Sequence, residues 1–124
     1  MPILALIAAF FIFLSFPDAY AADAAVAKSV ELRALNKVTA RSSAIKGSLL
    51  TPMEFGKLTI VVKACWIAPT DRRPEHAALM EVTEAKPGEE SEVIFSGWMF
   101  ASSPALSSLE HPVYDLTVIA CHVE

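Results

Sequence analysis

The stretch KLTIVVKACWI, Lys57–Ile67, constrains this fold more than any other part of the chain. Leu58, Ile60, Val62, Ala64 and Trp66 alternate with Lys57, Thr59, Val61, Lys63 and Cys65. Successive side chains of an extended backbone point to opposite faces, so this period of two predicts a half-buried strand. Alternation puts Trp66 on the core stripe and Cys65 on the more polar face, an assignment that one bulge would reverse. The run VYDLTVIAC, Val113–Cys121, repeats the pattern. Tyr114, Leu116, Val118 and Ala120 share one face; Val113, Asp115, Thr117, Ile119 and Cys121 share the other.

The amino terminus reads differently. Pro2 to Phe16 carries no charge and is almost wholly apolar, and Ala19-Tyr20-Ala21 has the small-x-small form of a cleavage site. Residues 1–21 are therefore expected to be a signal peptide cut after Ala21, with a periplasmic product. The alternative is an anchor left uncleaved. The apolar core from Ile3 to Phe16 would make a helix of roughly 21 Å, short against about 30 Å of hydrocarbon. On this reading, membrane contact comes only through the signal segment before cleavage.

Two cysteines, Cys65 and Cys121, are present in the 124-residue chain. Export into an oxidising compartment predicts a disulfide between them. The alternatives are free or interchain thiols, or a redox pair, although no CxxC occurs. Both cysteines fall on the polar face of their strands. The expectation is thus a bridge across the outer face of one sheet, unlike the buried inter-sheet bridge of immunoglobulin domains.

Residues 22–34 are Ala-rich and read as a flexible or helical stem. Residues 35–124 then form a single β-rich domain. Short strands are expected at Lys37–Arg41 and Ala44–Leu49, and further strands at His76–Val82 and Val93–Phe100. The last two make a hairpin with an acidic tip, where Pro87-Gly88 suits the centre of a type II turn. In SSPALSSLEHP, Ser103 can cap and Pro104 can begin one or two helical turns, with Leu106 and Leu109 facing the same way. Pro112 ends the helical geometry. The expected architecture is mainly β: a small antiparallel β-sandwich or partly closed barrel, with one short helix or 3-10 turn between the last two strands.

The formal net charge is −4, and no basic cluster is denser than Asp71-Arg72-Arg73. A nucleic-acid-binding footprint is therefore missing from the sequence. Val93–Phe100 is apolar on both faces: Trp98 and Phe100 alternate with Phe95 and Met99. Such a strand lies between two layers or presents a binding surface, so Phe95, Trp98, Met99 and Phe100 are the candidate interface.

Glu110, His111 and Asp115, beside Ser102, Ser103, Ser107 and Ser108, contain the side-chain types of a hydrolytic triad. The plainer reading makes Ser102 and Ser103 caps that accept N–H groups. Glu110 and His111 then anchor the chain where it re-enters the sheet. His76, His111 and His122 match no familiar zinc spacing. No catalytic, cofactor-binding or metal residue is assigned, and no cofactor is expected.

The run FSGWMFASSPALSSLEHPVYDLTVIAC, Phe95–Cys121, resembles the signature of an exported alphaproteobacterial family catalogued as domain of unknown function 2155. LNKVTAR at Leu35–Arg41, FGKLTIVVKACW at Phe55–Trp66 and AALMEV at Ala77–Val82 resemble it too. The family usually has Asp where this chain has Asn36, and often Trp where it has Thr117. The resemblance implies an exported protein with paired cysteines; it implies no activity and carries over no catalytic residue. The function expected is that of a small periplasmic non-enzymatic domain that binds or helps assemble another envelope protein. The alternative is a hydrolase or metal-binding protein using Glu110, His111 and Asp115.

Overall fold

Residues 26–124 are described by a computed structural model of the chain. The signal segment and cleavage site read at residues 1–21 lie outside the described residues, as do stem residues 22–25. Seven strands follow: β1 (Ser29–Asn36), β2 (Arg41–Ser48), β3 (Met53–Phe55), β4 (Leu58–Ile67), β5 (His76–Glu84), β6 (Glu92–Phe100) and β7 (Tyr114–His122). A 3-10 turn at Pro104–Leu106 separates the last two. The strands make two antiparallel sheets, ordered β2-β1-β7 and β3-β4-β5-β6, without a closed barrel. The core lies between them. One sheet supplies Val30, Leu32, Ala34, Leu116 and Val118; the other supplies Leu58, Ile60, Val62, Ala78, Met80, Val82 and Met99.

The stem reading fails for residues 29–34. They belong to β1, the middle strand of the three-stranded sheet. Val30, Leu32 and Ala34 are fully buried and alternate with Ser29, Glu31 and Arg33. Alanine favours helix locally, but burial against a facing sheet outweighs propensity. The strand expected at Lys37–Arg41 is also corrected. Lys37–Ala40 is the turn of the β1–β2 hairpin. Asn36 Oδ1 accepts the N–H groups of Val38 (3.0 Å) and Thr39 (3.2 Å), which competes with extended pairing. An aspartate oxygen at this position would do the same work.

The largest correction concerns the cysteines. In β4, Val62 pairs with Met80 and Ala64 with Leu79, leaving Lys63 as an extra residue. In β7, Val118 pairs with Leu32 and Ala120 with Glu31, leaving Ile119 extra. Each bulge reverses the alternation beyond it. Cys65 and Cys121 therefore turn inward and are buried. They form a disulfide with a Cα–Cα distance of 5.7 Å. β4 and β7 lie in different sheets, so the bridge crosses the core and does not lie on an outer face.

The hairpin tip follows expectation: Glu89 N–H donates to Lys86 C=O at 3.1 Å, with Gly88 at φ +73°. The 3-10 turn begins at Pro104, but Ser103 makes no side-chain cap; its carbonyl accepts Leu106 N–H at 3.0 Å. The helix is too short to align two leucines. Leu106 stays exposed while Leu109 enters the core.

Candidate functional site

Bulging at Lys63 also decides where Trp66 goes. Beyond the bulge, Cys65 takes the core position and Trp66 moves to the outer face, where it is 38% exposed. Register then aligns Trp66 with Ala77 of β5 and Ala77 with Phe100 of β6. The neighbouring row aligns Ala64 with Leu79 and Leu79 with Trp98. Two wholly apolar rows thus cross the outer face at one end of the β4–β6 sheet. Trp98 is 39% exposed, whereas Ala77 is covered. Towards the other end the face turns polar: Glu81 pairs with Ser96 in register, and Lys63 bonds Glu81 at 3.2 Å.

The aromatic rings enclose open space. A groove of about 340 Å³ is lined by Trp66, Ala77, Trp98 and Phe100. A second, of about 400 Å³, shares Trp66 and Trp98 and extends to Val26, Leu49 and Lys63. Small alanines at the floor and rings at the walls make the concavity: Ala64 and Ala77 leave room that a larger residue would fill. Indole rings on such a surface offer flat apolar area with an N–H at the rim, a combination suited to protein contacts.

Of the four interface candidates, Trp98 and Phe100 lie on this outer face. Met99 is buried and Phe95 packs against the core, so β6 is covered on its inner face and open on its outer one. Trp66 is the member that sequence reasoning missed. No local signal marks it, because strict alternation places it in the core.

The polar candidates are not brought together as a triad. His111 Nδ1 accepts the N–H groups of Val113 (3.0 Å) and Tyr114 (3.2 Å). Its Nε2 lies 3.0 Å from Glu84 Oε2, at the end of β5. Both ring nitrogens are taken, by neither Asp115 nor a serine. The His111 carbonyl accepts Lys37 Nζ at 2.6 Å. Glu110 and Asp115 line a separate cavity of about 360 Å³ with Lys37, Ser108 and Thr117. His76 Nδ1 accepts Cys121 N–H at 2.8 Å, and His122 Nε2 lies 3.1 Å from Glu31. Among the described residues, no three His, Cys, Asp or Glu side chains converge as a metal site.

Ser102 serves differently from a cap that accepts N–H groups: its hydroxyl donates to Glu75 Oε2. Glu75 Oε1 also accepts the N–H groups of His76 and Ser102, each at 3.1 Å. Slight burial pushes the Glu75 carboxyl up, but the Ser102 hydroxyl and the amide donors outweigh it, so the carboxyl is held below its ordinary value. Glu75 and Glu84 flank the two ends of β5. Together they fasten Ser102 and His111, the two ends of the segment that joins β6 to β7. These groups anchor that connection and give the polar cluster a structural role.

A family described as "Uncharacterized protein conserved in bacteria (DUF2155)" matches residues 30–121. An uncharacterized protein of Rickettsia prowazekii (strain Madrid E) is 35% identical over 88 residues, covering 71% of this chain and 57% of that relative. The chain thus spans a little over half of that relative's length. No solved structure matches.

Proposed function

The chain belongs to the DUF2155 family of uncharacterized bacterial proteins, and on that premise we propose that it is a non-enzymatic, protein-binding domain of the periplasm. The observation that carries this reading is the pair of apolar rows, Trp66–Ala77–Phe100 and Ala64–Leu79–Trp98, on an outer sheet face. A β-sheet with one solvated face normally alternates apolar inside with polar outside. Here the polar half obeys that rule and the aromatic half breaks it. Two half-exposed tryptophans beside open grooves have the form of an interface centre, with the Lys63–Glu81 pair at its rim. The occupant that fits is an extended apolar segment of another envelope protein, side chains entering between the rings. Export is supported by the apolar amino-terminal run, its small-x-small end and the bonded cysteines.

Photo-crosslinking in intact cells tests this. A photoreactive residue at position 98 should capture one defined envelope protein, and the same residue at exposed position 38, in the β1–β2 turn, should not. Replacing Trp66 by Ala should reduce the position-98 product. Identical products from both positions, no product, or capture of a second copy alone would refute the reading.

A further inference from the structure

β6 is an edge strand, pairing with β5 alone among the described residues. Unpaired edges invite strand addition, and proteins block them with charge, shortness or irregularity. The other edges here are blocked. β3 has three residues. β2 carries Arg41 and Lys46 and is mostly exposed and polar. β7 carries Asp115 and is interrupted by the bulge at Ile119. β6 has its one charge, Glu92, and its bulge, at Ile94, only at its start; from Phe95 to Phe100 it has neither charge, proline nor bulge. The two apolar rows run across the sheet and stop at this edge, at Trp98 and Phe100.

Charge gives the missing half of the contact a direction. At one end of the sheet, the β5–β6 tip exposes Glu89 and Glu90, which form no ion pair among the described residues. At the other end, the β4–β5 loop exposes Arg72 and Arg73, likewise without an ion pair among the described residues. We infer that β6 pairs antiparallel with β6 of a second copy about a two-fold axis. Antiparallel pairing reverses the ends, so the acidic tip of each copy lies towards the arginine end of the other. The attraction occurs twice because a two-fold contact is isologous. Parallel pairing would set acidic tip beside acidic tip. The joined sheets keep both aromatic faces on the same side, so dimerisation widens the proposed binding surface without depending on it.

Sedimentation velocity of the oxidised, exported protein tests the inference across the micromolar range. The expected result is a monomer–dimer equilibrium that weakens as salt is added. Arg72→Glu with Arg73→Glu should weaken the dimer about tenfold at low salt, as should Glu89→Arg with Glu90→Arg. The fourfold charge-swapped chain should recover it. Amide exchange along β6 should slow as concentration rises. A monomer at every concentration, a dimer indifferent to both charge reversals, or β6 exchange independent of concentration would overturn it. These variants leave Trp66, Trp98 and Phe100 untouched, so the outcome is separable from that of the crosslinking test.

Discussion

Lys63 and Ile119 are counterparts on different sheets: each is the extra residue of a bulge, and each lies two positions before a bridged cysteine. A single inserted residue reverses the facing of everything after it. Two such reversals, one on β4 and one on β7, are what allow Cys65 and Cys121 to meet across the core. The same reversal on β4 releases Trp66 to the outer face. The stabilising bridge and the candidate binding surface therefore share one cause.

The bridge closes a loop with a sequence separation of 56 residues. Chain entropy gives it about 4 kcal/mol of stabilisation. Replacing Cys65 and Cys121 together by Ala should lower the urea-unfolding free energy by about that amount. Mass measurement of the native protein should find two hydrogens fewer than the reduced chain; two free thiols would contradict the structure.

Deleting Lys63 should restore unbroken alternation along β4. Ala64 then takes the outward position between inward Val62 and inward Cys65, so Trp66 stays outward and thiol titration after oxidative folding should find the Cys65–Cys121 bridge intact. Two free thiols in the deletion variant would show that Lys63 is not the residue the bulge absorbs.

Gly56, in the β3–β4 turn, has φ +58°, and a Cβ there would lie 2.5 Å from Tyr114 Oη. Tyr114 also accepts Lys57 N–H at 3.3 Å and packs edge-on against Phe55 at 5.9 Å. Gly56→Ala should therefore cost about 2–4 kcal/mol, combining left-handed strain with a clash between sheets. Gly88 has φ +73° but open space around it, so Gly88→Ala should cost only about 1 kcal/mol. Equal losses in thermal or urea unfolding would contradict the role of Tyr114.

The Glu75 carboxyl is held below its ordinary value, so its linkage to folding has a definite sign. Its contribution is fully present above the ordinary carboxylate value of 4.5 and is lost as pH falls through the lower folded value. Carbon-detected NMR titration should show Glu75 protonating below that ordinary value. Ser102→Ala should move the midpoint upward and flatten the loss of stability in acid. An unchanged midpoint would show that the Ser102 hydroxyl does not hold the carboxylate.

Local sequence determined much of this protein. The period of two in Leu58–Val62 and Tyr114–Val118 identified core strands, because side-chain alternation is a property of the extended backbone itself. Pro87-Gly88 identified the hairpin tip, since Pro fixes one φ and Gly accepts the positive one. Trp98 and Phe100 were legible as sharing one face for the same reason, while the choice of that face over the Phe95–Met99 face as the outer one came from the packing of the facing sheet. Tertiary structure decided the rest. Residues 29–34 became a strand because a facing sheet buries Val30, Leu32 and Ala34, and Ala-rich composition carries no trace of that neighbour. Glu84 became the partner of His111 through folding that brings residues 27 positions apart within 3.0 Å. The bulges at Lys63 and Ile119 were also decided there. A bulge exists only relative to the partner strand it mispairs with, so a single strand's sequence reads as unbroken alternation. That is why Cys65 and Trp66 exchanged faces between the sequence and the fold.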